Sequence, residues 1–279
     1  MSNSSDQKDC VGRAAAVLLR RPSALLTDVD GTISQVAPRP QDAIVDSEAV
    51  DALRRLTRLV DVLAAVSGRS ISSLRSLIEL DGLVYIGNHG LESWEDGHSV
   101  VTPDARVFLP RISATMSYLR QRLDAPGLLF EEKGATASIH YRLSPNPAAA
   151  RDAILQTLAE CPSARGLRIS QGRKVVDLLP PIPVGKGTAV AQVVSAHALS
   201  GVVYMGDDST DVDAFEELRR LRALGRCDSL LVAVVSPESP DDLAAGADCL
   251  LGGVEETVSF LNRTASALER AAETLRVKT

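Results

Sequence analysis

The sequence predicts an α/β protein, a doubly wound and mostly parallel sheet core with a smaller α+β cap domain inserted into it. Short apolar runs alternate with helix-period segments in both outer parts of the 279-residue chain, the pattern of a parallel sheet covered by helices. Between them the periodicity switches to two, which suits a sheet with one open face. The polar, glycine-punctuated strings fall where apolar runs end, and that is where doubly wound sheets carry their chemistry.

The first strand is Ala24–Thr27, which runs directly into Asp28, Asp30 and Gly31. Val50, Leu53, Leu56 and Leu59 recur at helical spacing in Glu48–Leu59. Val60–Val66 reads as a buried strand closing on Ser67-Gly68, followed by a helix over Ser70–Ile78. The strand Leu83–Ile86 then ends at Gly87-Asn88. The inserted unit opens with a helix over Phe108–Leu123 and strands over Leu128–Glu132 and Ala135–Leu143. In the second of these strands Ala135, Ala137, Ile139 and Tyr141 alternate with Thr136, Ser138, His140 and Arg142. A helix over Pro147–Glu160 and strands over Leu167–Ser170 and Lys174–Leu179 complete the unit, and Pro180-Pro181-Ile182-Pro183 forms a stiff link back. The alternation resumes with helix Lys186–His197, strand Val202–Met205, helix Thr210–Leu221, strand Leu230–Val235 and a last helix near Glu255–Leu275. The expected division is a core made of 1–104 and 184–279, with 105–183 as a lid.

Composition bounds the function. With 45% hydrophobic and 24% charged residues the chain is ordinary for a globular protein, and at 3% aromatics its core falls to aliphatic side chains. A net charge of −6 argues against a nucleic-acid partner, which requires a basic face. It leaves a phosphorylated substrate open, because a local cation can reverse the field. Cys10, Cys161, Cys227 and Cys249 form no CxxC pair, so the expectation is buried or free thiols in a reducing compartment. The apolar run Ala14–Leu19 is too short for a signal peptide and no segment has the length of a membrane span. A cytoplasmic enzyme with no membrane partner is expected.

Asp28-Val29-Asp30-Gly31-Thr32 places two carboxylates where the backbone leaves the first strand. One can attack phosphorus while the other gives a proton to the leaving oxygen and later takes one from water. Gly31 permits the turn, and the Thr32 hydroxyl and nearby amides could hold phosphate oxygens. The plain alternative is an Asp-rich capping turn, and the spaced ligands of an EF-hand are missing. Gly206-Asp207-Asp208-Ser209-Thr210-Asp211 repeats the arrangement after strand Val202–Met205. Magnesium takes oxygen ligands and keeps several waters, so Asp207, the Asp28 side chain and a backbone carbonyl suffice. Asp211 could bind the ion through water or orient Lys186, and Asp208 could ligate it or cap the helix. Ser67-Gly68-Arg69 offers a hydroxyl and loop amides to phosphate. Lys186 opens a helix within Gly185-Lys186-Gly187-Thr188. That string is no P-loop, because Pro180 and Gly187 stand where Gly and Ser or Thr are needed.

In this order the four motifs match those of the haloacid dehalogenase superfamily, which the sequence resembles. The resemblance implies Asp28 as nucleophile, Asp30 as acid/base, Ser67 and Lys186 as phosphate contacts, and Asp207 as magnesium ligand with the carbonyl of Asp30. Further strings are similar to the trehalose-6-phosphate phosphatase family: Ser67-Gly68-Arg69, Gly87–Glu92, Glu131-Glu132-Lys133, His140-Tyr141-Arg142 and Gly206–Phe215. This likeness implies that His89, Glu92, Glu131, Lys133 and Arg142 help bind a phosphorylated disaccharide. In the last cap strand Asp177 stands where the family usually carries Glu, and Val29 and Val212 also depart from its habit. The alternatives are a phosphatase of sucrose phosphate or a glycosyl-glycerate phosphate, a phosphohexomutase, and a silent sugar-phosphate sensor. Oligomeric state is not legible.

Overall fold

The structure, a computed structural model, describes residues 4–172 and 174–277. Helix α1 (Ser4–Leu18) precedes β1 (Ser23–Thr27), α2 (Ser47–Leu56), β2 (Val62–Val66), α3 (Ile71–Leu77) and β3 (Leu83–Gly87). A hairpin of β4 (Glu92–Glu95) and β5 (His98–Val101) and one turn of helix, α4 (Pro103–Arg106), lead into the inserted segment. That segment holds α5 (Leu109–Arg122), β6 (Leu129–Glu132), β7 (Ala137–His140), α6 (Pro147–Glu160), β8 (Arg168–Gly172) and β9 (Val175–Leu179). The chain returns through α7 (Lys186–Ala196), β10 (Gly201–Gly206), α8 (Ser209–Ala223) and β11 (Asp228–Val234). It ends with α9 (Asp241–Gly246), β12 (Cys249–Leu251) and α10 (Val254–Val277).

Eight strands form one sheet in the order β12-β11-β10-β1-β2-β3-β4-β5. All pairings from β12 to β3 are parallel, and β4 and β5 add an antiparallel edge. Strand β1 lies between β10 and β2, so the two sequence-distant halves meet at the point where strand order reverses. Successive side chains feed opposite faces. Leu25 joins Leu63, Val203 and Val232 in a core that includes residues of α1, α2 and α10, while Ala24, Leu26, Ala64 and Tyr204 pack with residues of α7 and α8.

The inserted segment builds its own antiparallel sheet, β6-β7-β9-β8. Ala137, Ile139, Val176 and Leu178 bury one face of it against Ile112, Met116 and Leu119 of α5 and Ile154 and Leu158 of α6. Glu131, Ser138, His140 and Asp177 alternate with those residues on the opposite face, as period two requires. A small apolar cluster of Leu91, Ala105 and Ala135, with Leu109, Ile182 and Val184 against it, lies where both linkers pass between sheet and cap.

Three features depart from the sequence reading. The β4–β5 hairpin has mostly polar strands, so no apolar run marks it, but its Asp96-Gly97 turn with both φ positive is the chemistry of a tight hairpin. Helix α1 buries Cys10, Val11, Ala14, Val17 and Leu18 at helical spacing behind a polar start. The expectation of four unpaired thiols is corrected for two of them: Cys10 of α1 and Cys249 of β12 form a disulfide, whereas Cys161 and Cys227 are free and buried. Partners 239 residues apart leave no spacing signature.

Because that bond closes almost the whole chain, the chain-entropy model gives it up to about 5 kcal/mol of stability. Reductant should therefore lower the thermal midpoint of the wild-type protein and leave that of Cys10→Ser, already lowered, unmoved. Equal midpoints for oxidised wild type and Cys10→Ser would refute the contribution.

Candidate active site

The pairing of β1 with β10 continues one residue past the strand, where the Asp28 amide donates to the Met205 carbonyl at 2.8 Å. This holds the Asp28 carboxylate, 4% exposed, at the carboxyl edge of the sheet. Gly31 follows with φ +82, and a Cβ there would stand 2.0 Å from Oδ2 of Asp207. Only glycine lets the loop after β1 lie against the loop after β10.

Lys186, the first residue of α7, reaches between them. Its Nζ donates to Oδ1 of Asp211 at 2.7 Å and stands 2.8 Å from Oδ1 of Asp28. Lys186 is 3% exposed and Asp211 is fully buried. Burial alone would lower the Lys186 pKa, but the carboxylates of Asp211 and Asp28 reverse this and hold it well above its usual range. Burial pushes Asp28 the other way, up to about 7, against the pull of Lys186 and with the repulsion of Asp211 and Asp30. Asp211 takes further hydrogen bonds from the Tyr204 hydroxyl at 2.6 Å, the Asp207 amide at 3.1 Å and the Asp208 amide at 3.0 Å.

Carboxylate oxygens of Asp28, Asp207 and Asp211 lie within 4.8 Å of one another, an all-oxygen cluster of the kind a hard divalent cation takes. Both oxygens of Asp211 already accept two donors each, so that residue fits the orienting of Lys186 rather than ligation. The remaining pair, Asp28 and Asp207, fits a hard divalent cation that keeps much of its water. Asp208 lines the same cleft and caps α8, its Oδ1 accepting from the Ser209 amide at 2.7 Å. The Asp30 carboxylate is turned away from the cluster to Arg69. The metal contact expected of Asp30 is its backbone carbonyl, which the direction of its side chain does not decide. Thr32 is also redirected: it is fully buried and its hydroxyl lies 3.4 Å from Oδ1 of Asp207, so it braces an acid instead of facing the cleft.

Arg69 grips Asp30 with both ends of its fork, Nε to Oδ2 at 2.5 Å and Nη2 to Oδ1 at 2.6 Å. Its Nη1 donates to the Pro40 carbonyl and to Ser73 Oγ, each at 3.0 Å. The guanidinium sequence reasoning gave to the substrate is thus occupied with fixing Asp30. Ser67 and Gly68 line the cleft. The His89 ring lies over Gly68, where a Cβ would come within 2.5 Å of Cε1. Burial drives the His89 pKa down to about 4, so the ring is neutral at ordinary pH, and its buried Nδ1 finds no hydrogen-bond partner among the described residues. Glu92 does not line the cleft. Its carboxylate accepts from the Ile71 amide at 2.9 Å, the Asn88 side chain at 2.7 Å and the Ser99 hydroxyl, bracing the loop that carries His89.

The cap closes the cleft with Glu131, Lys133, His140, Arg142 and Asp177. Burial would raise Glu131, but the hydrogen bond from His140 Nε2 at 2.9 Å and the charge of Lys133 outweigh it and lower its pKa. Lys133 Nζ donates to the Gly68 carbonyl at 3.1 Å, which joins cap to core. Asp177 accepts from Ser138, and Arg142 stands 3.7 Å from Glu238. Sequence reasoning missed Tyr204, a polar tip inside an apolar strand, Asn88, and the Val36–Pro40 loop that rims the cleft. Pro38 and Pro40, shortly after the acidic loop, are the signal that could have marked that rim.

The raised pKa of Asp28 has a stability consequence. A carboxyl bound more tightly to its proton in the folded state stabilises the fold below its unfolded value of 3.8, and that contribution is lost as pH rises to about 7. In chelator, the gap in melting midpoint, Asp28→Asn minus wild type, should therefore grow by a few degrees as pH rises from 4 to above 7. A gap that widened towards acid would contradict the assigned burial.

Comparison with known proteins places the chain. The model of the family described as Trehalose-phosphatase matches residues 26–242. The trehalose-phosphate phosphatase of Mycolicibacterium paratuberculosis is 31% identical over 97% of this chain and 69% of its own length. That of Mycobacterium bovis is 32% identical over 77% of this chain and 56% of its own. The chain therefore spans about half to two thirds of these relatives. Among solved structures, the C-terminal domain of the trehalose-6-phosphate phosphatase of C. albicans superposes with TM-score 0.77 at 18% identity, covering 94% of this chain and 97% of that one. A trehalose-6-phosphate phosphatase related protein gives 0.70 at 22% identity over 87% and 97%. The fold is thus shared with these structures, and with a family match running from β1 into α9 the chain belongs to the trehalose-phosphatase family.

Proposed function

We propose that this chain hydrolyses trehalose 6-phosphate to trehalose and phosphate through a phospho-aspartyl intermediate on Asp28. The observation that carries this reading is the buried Asp28–Lys186–Asp211 arrangement beside Asp207, set under a cap whose polar face closes the same cleft. Asp28 attacks phosphorus in line, the bond from phosphorus to the sugar oxygen breaks, and Asp30 gives that oxygen its proton. Water then attacks the phospho-aspartate, Asp30 takes its proton, and the bond to Asp28 breaks with release of phosphate. Lys186 holds positive charge at the phosphoryl end throughout. A magnesium ion held by Asp28 and Asp207 would offset further charge on the phosphoryl oxygens. Arg69 keeps the Asp30 carboxylate in one orientation for both proton transfers.

Specificity falls to the cap. A non-reducing disaccharide offers many hydroxyls and no charge, and Glu131, Asp177, Lys133 and Arg142 supply acceptors and donors for them. Residues 105–183 are proposed as the unit that closes over the sugar, and the cytoplasm as the compartment. The Cys10–Cys249 bond is of a kind that reducing compartments disfavour, so its state in cell extracts tests that compartment. Among the described residues no helix is long and apolar enough to cross a membrane.

The deciding assay is phosphate release from a panel of sugar phosphates, with magnesium and with chelator. Magnesium-dependent release chiefly from trehalose 6-phosphate is expected, and Asp28→Asn should cut it at least about a thousandfold while folding normally. Release chiefly from sucrose phosphate or a glycosyl-glycerate phosphate would keep the chemistry and replace the substrate. No release from any of them would leave a sugar-phosphate sensor.

A further inference from the structure

Asn88 lies outside the cleft, touches no reacting group and is fully buried, yet its side chain ties the start of β4 to one turn of the cap. Its amide nitrogen donates to the Lys133 carbonyl at 2.9 Å and to Glu92 Oε2 at 2.7 Å. Its oxygen accepts from the Thr136 hydroxyl at 2.5 Å. Lys133 and Thr136 are the two ends of the cap turn between β6 and β7, themselves closed by a hydrogen bond from the Lys133 amide to the Thr136 carbonyl. One core side chain thus grips both ends of one cap turn.

The backbone of the same residue faces the other way. The Asn88 amide donates to the Arg69 carbonyl at 2.7 Å, and the next amide, of His89, donates to the Ser67 carbonyl at 3.0 Å. Arg69 in turn holds Asp30 through its fork. Asn88 also has φ +50, a left-handed conformation that Asn tolerates better than other side-chain-bearing residues. Two other contacts join cap and core here: the Lys133 Nζ bond to the Gly68 carbonyl, made by a flexible side chain, and the apolar cluster around Leu91, Ala105 and Ala135, which is non-directional. Hydrogen bonds to a buried amide set a register, because a displaced cap turn would leave Asn88 and Thr136 unsatisfied away from water.

We propose that Asn88 is a positioning residue that latches the cap turn 133–136 to the loop 67–69. In this role it holds Glu131 and Lys133 over the cleft in fixed register with Asp30. The proposal rests on the phosphatase reading above and specifies how the sugar-binding and proton-transfer halves of that site are aligned.

The test compares two substrates. A disaccharide phosphate must meet the cap, whereas p-nitrophenyl phosphate needs only the core. Asn88→Ala should lower kcat/KM for trehalose 6-phosphate about tenfold or more, and change that for p-nitrophenyl phosphate by less than about threefold. Thr136→Val, which alters only the cap end of the latch, should reproduce the selective loss, and Thr136→Ser should restore wild-type kinetics. In the substrate-free protein, amide exchange of residues 133–136 should speed several-fold in Asn88→Ala and Thr136→Val while that of β1 stays unchanged. Equal losses on both esters, no loss on either, or failure of Thr136→Ser to restore would overturn the latch. Wild-type protein inactive on both esters would sink the phosphatase reading instead. The latch would then stand or fall on the exchange rates alone.

Discussion

The arrangement on which the rest depends is a lysine ammonium buried between two carboxylates. Lys186 begins a helix that the chain reaches only after the whole cap, Asp28 ends the first strand, and Asp211 lies in the first turn of α8. Buried charge is tolerable only when paired and hydrogen-bonded, and loss of one partner leaves another stranded. The triad can therefore form only when β1 and β10 pair in one register and α7 starts where it does. Shifting β1 by one residue would withdraw Asp28 from Lys186 and turn Leu25 and Leu26 to each other's faces. Gly31 serves the same constraint, since its missing side chain leaves room for Asp207.

The two linkers of the cap enter beside this centre, and the loops after β2 and β3 connect it to the cap. The loop after β2 carries Ser67, Gly68 and Arg69. The loop after β3 carries three consecutive left-handed residues, Asn88, His89 and Gly90, which fold it back onto the first through backbone hydrogen bonds. Glu92 then satisfies a backbone amide of α3 and the Asn88 side chain together. A carboxylate that reads as a sugar ligand is, in this fold, what keeps the strained loop in shape.

How much was legible follows from this. Strand β1, the helix that Lys186 opens and the glycine-marked acidic loops could be read because each announces itself within a few residues: an apolar run, then acid, then glycine. What could not be read was direction. Thr32 and Arg69 occupy the motif positions expected, but their partners are Asp207 and Asp30, and a linear string does not say which neighbour a side chain will meet. The 21 residues between Glu92 and the amide of Ile71 make that point for the brace, and the 239 between Cys10 and Cys249 make it for the disulfide. Helix α1 and the β4–β5 hairpin were missed for a different reason: the apolar run of α1 follows a polar start, and the apolar residues of the hairpin, Trp94, Val100 and Val101, are too few to mark a core strand.

The two ends of the cleft differ in how they manage charge, and the difference matches what each must bind. At the floor, Lys186 faces Asp28 and Asp207 stands close by, so positive and negative groups are held in place for a phosphoryl group whose own charge shifts during transfer. Between floor and roof, the core loop after β3 holds a His89 kept neutral by burial, and at the roof Glu131 spends its charge on His140 and Lys133. An uncharged sugar suits such a surface, where Lys133 and Arg142 each have an acidic neighbour, Glu131 and Glu238. His89 could not be ionised cheaply in this position, since burial, with the charges of Lys133 and Lys186 added, outweighs the pull of Asp177 on a positive ring. The neutral imidazole over Gly68 is thus the boundary between a floor built for charge and a roof built for hydroxyls, and the substrate that satisfies both is a phosphate ester of a neutral sugar.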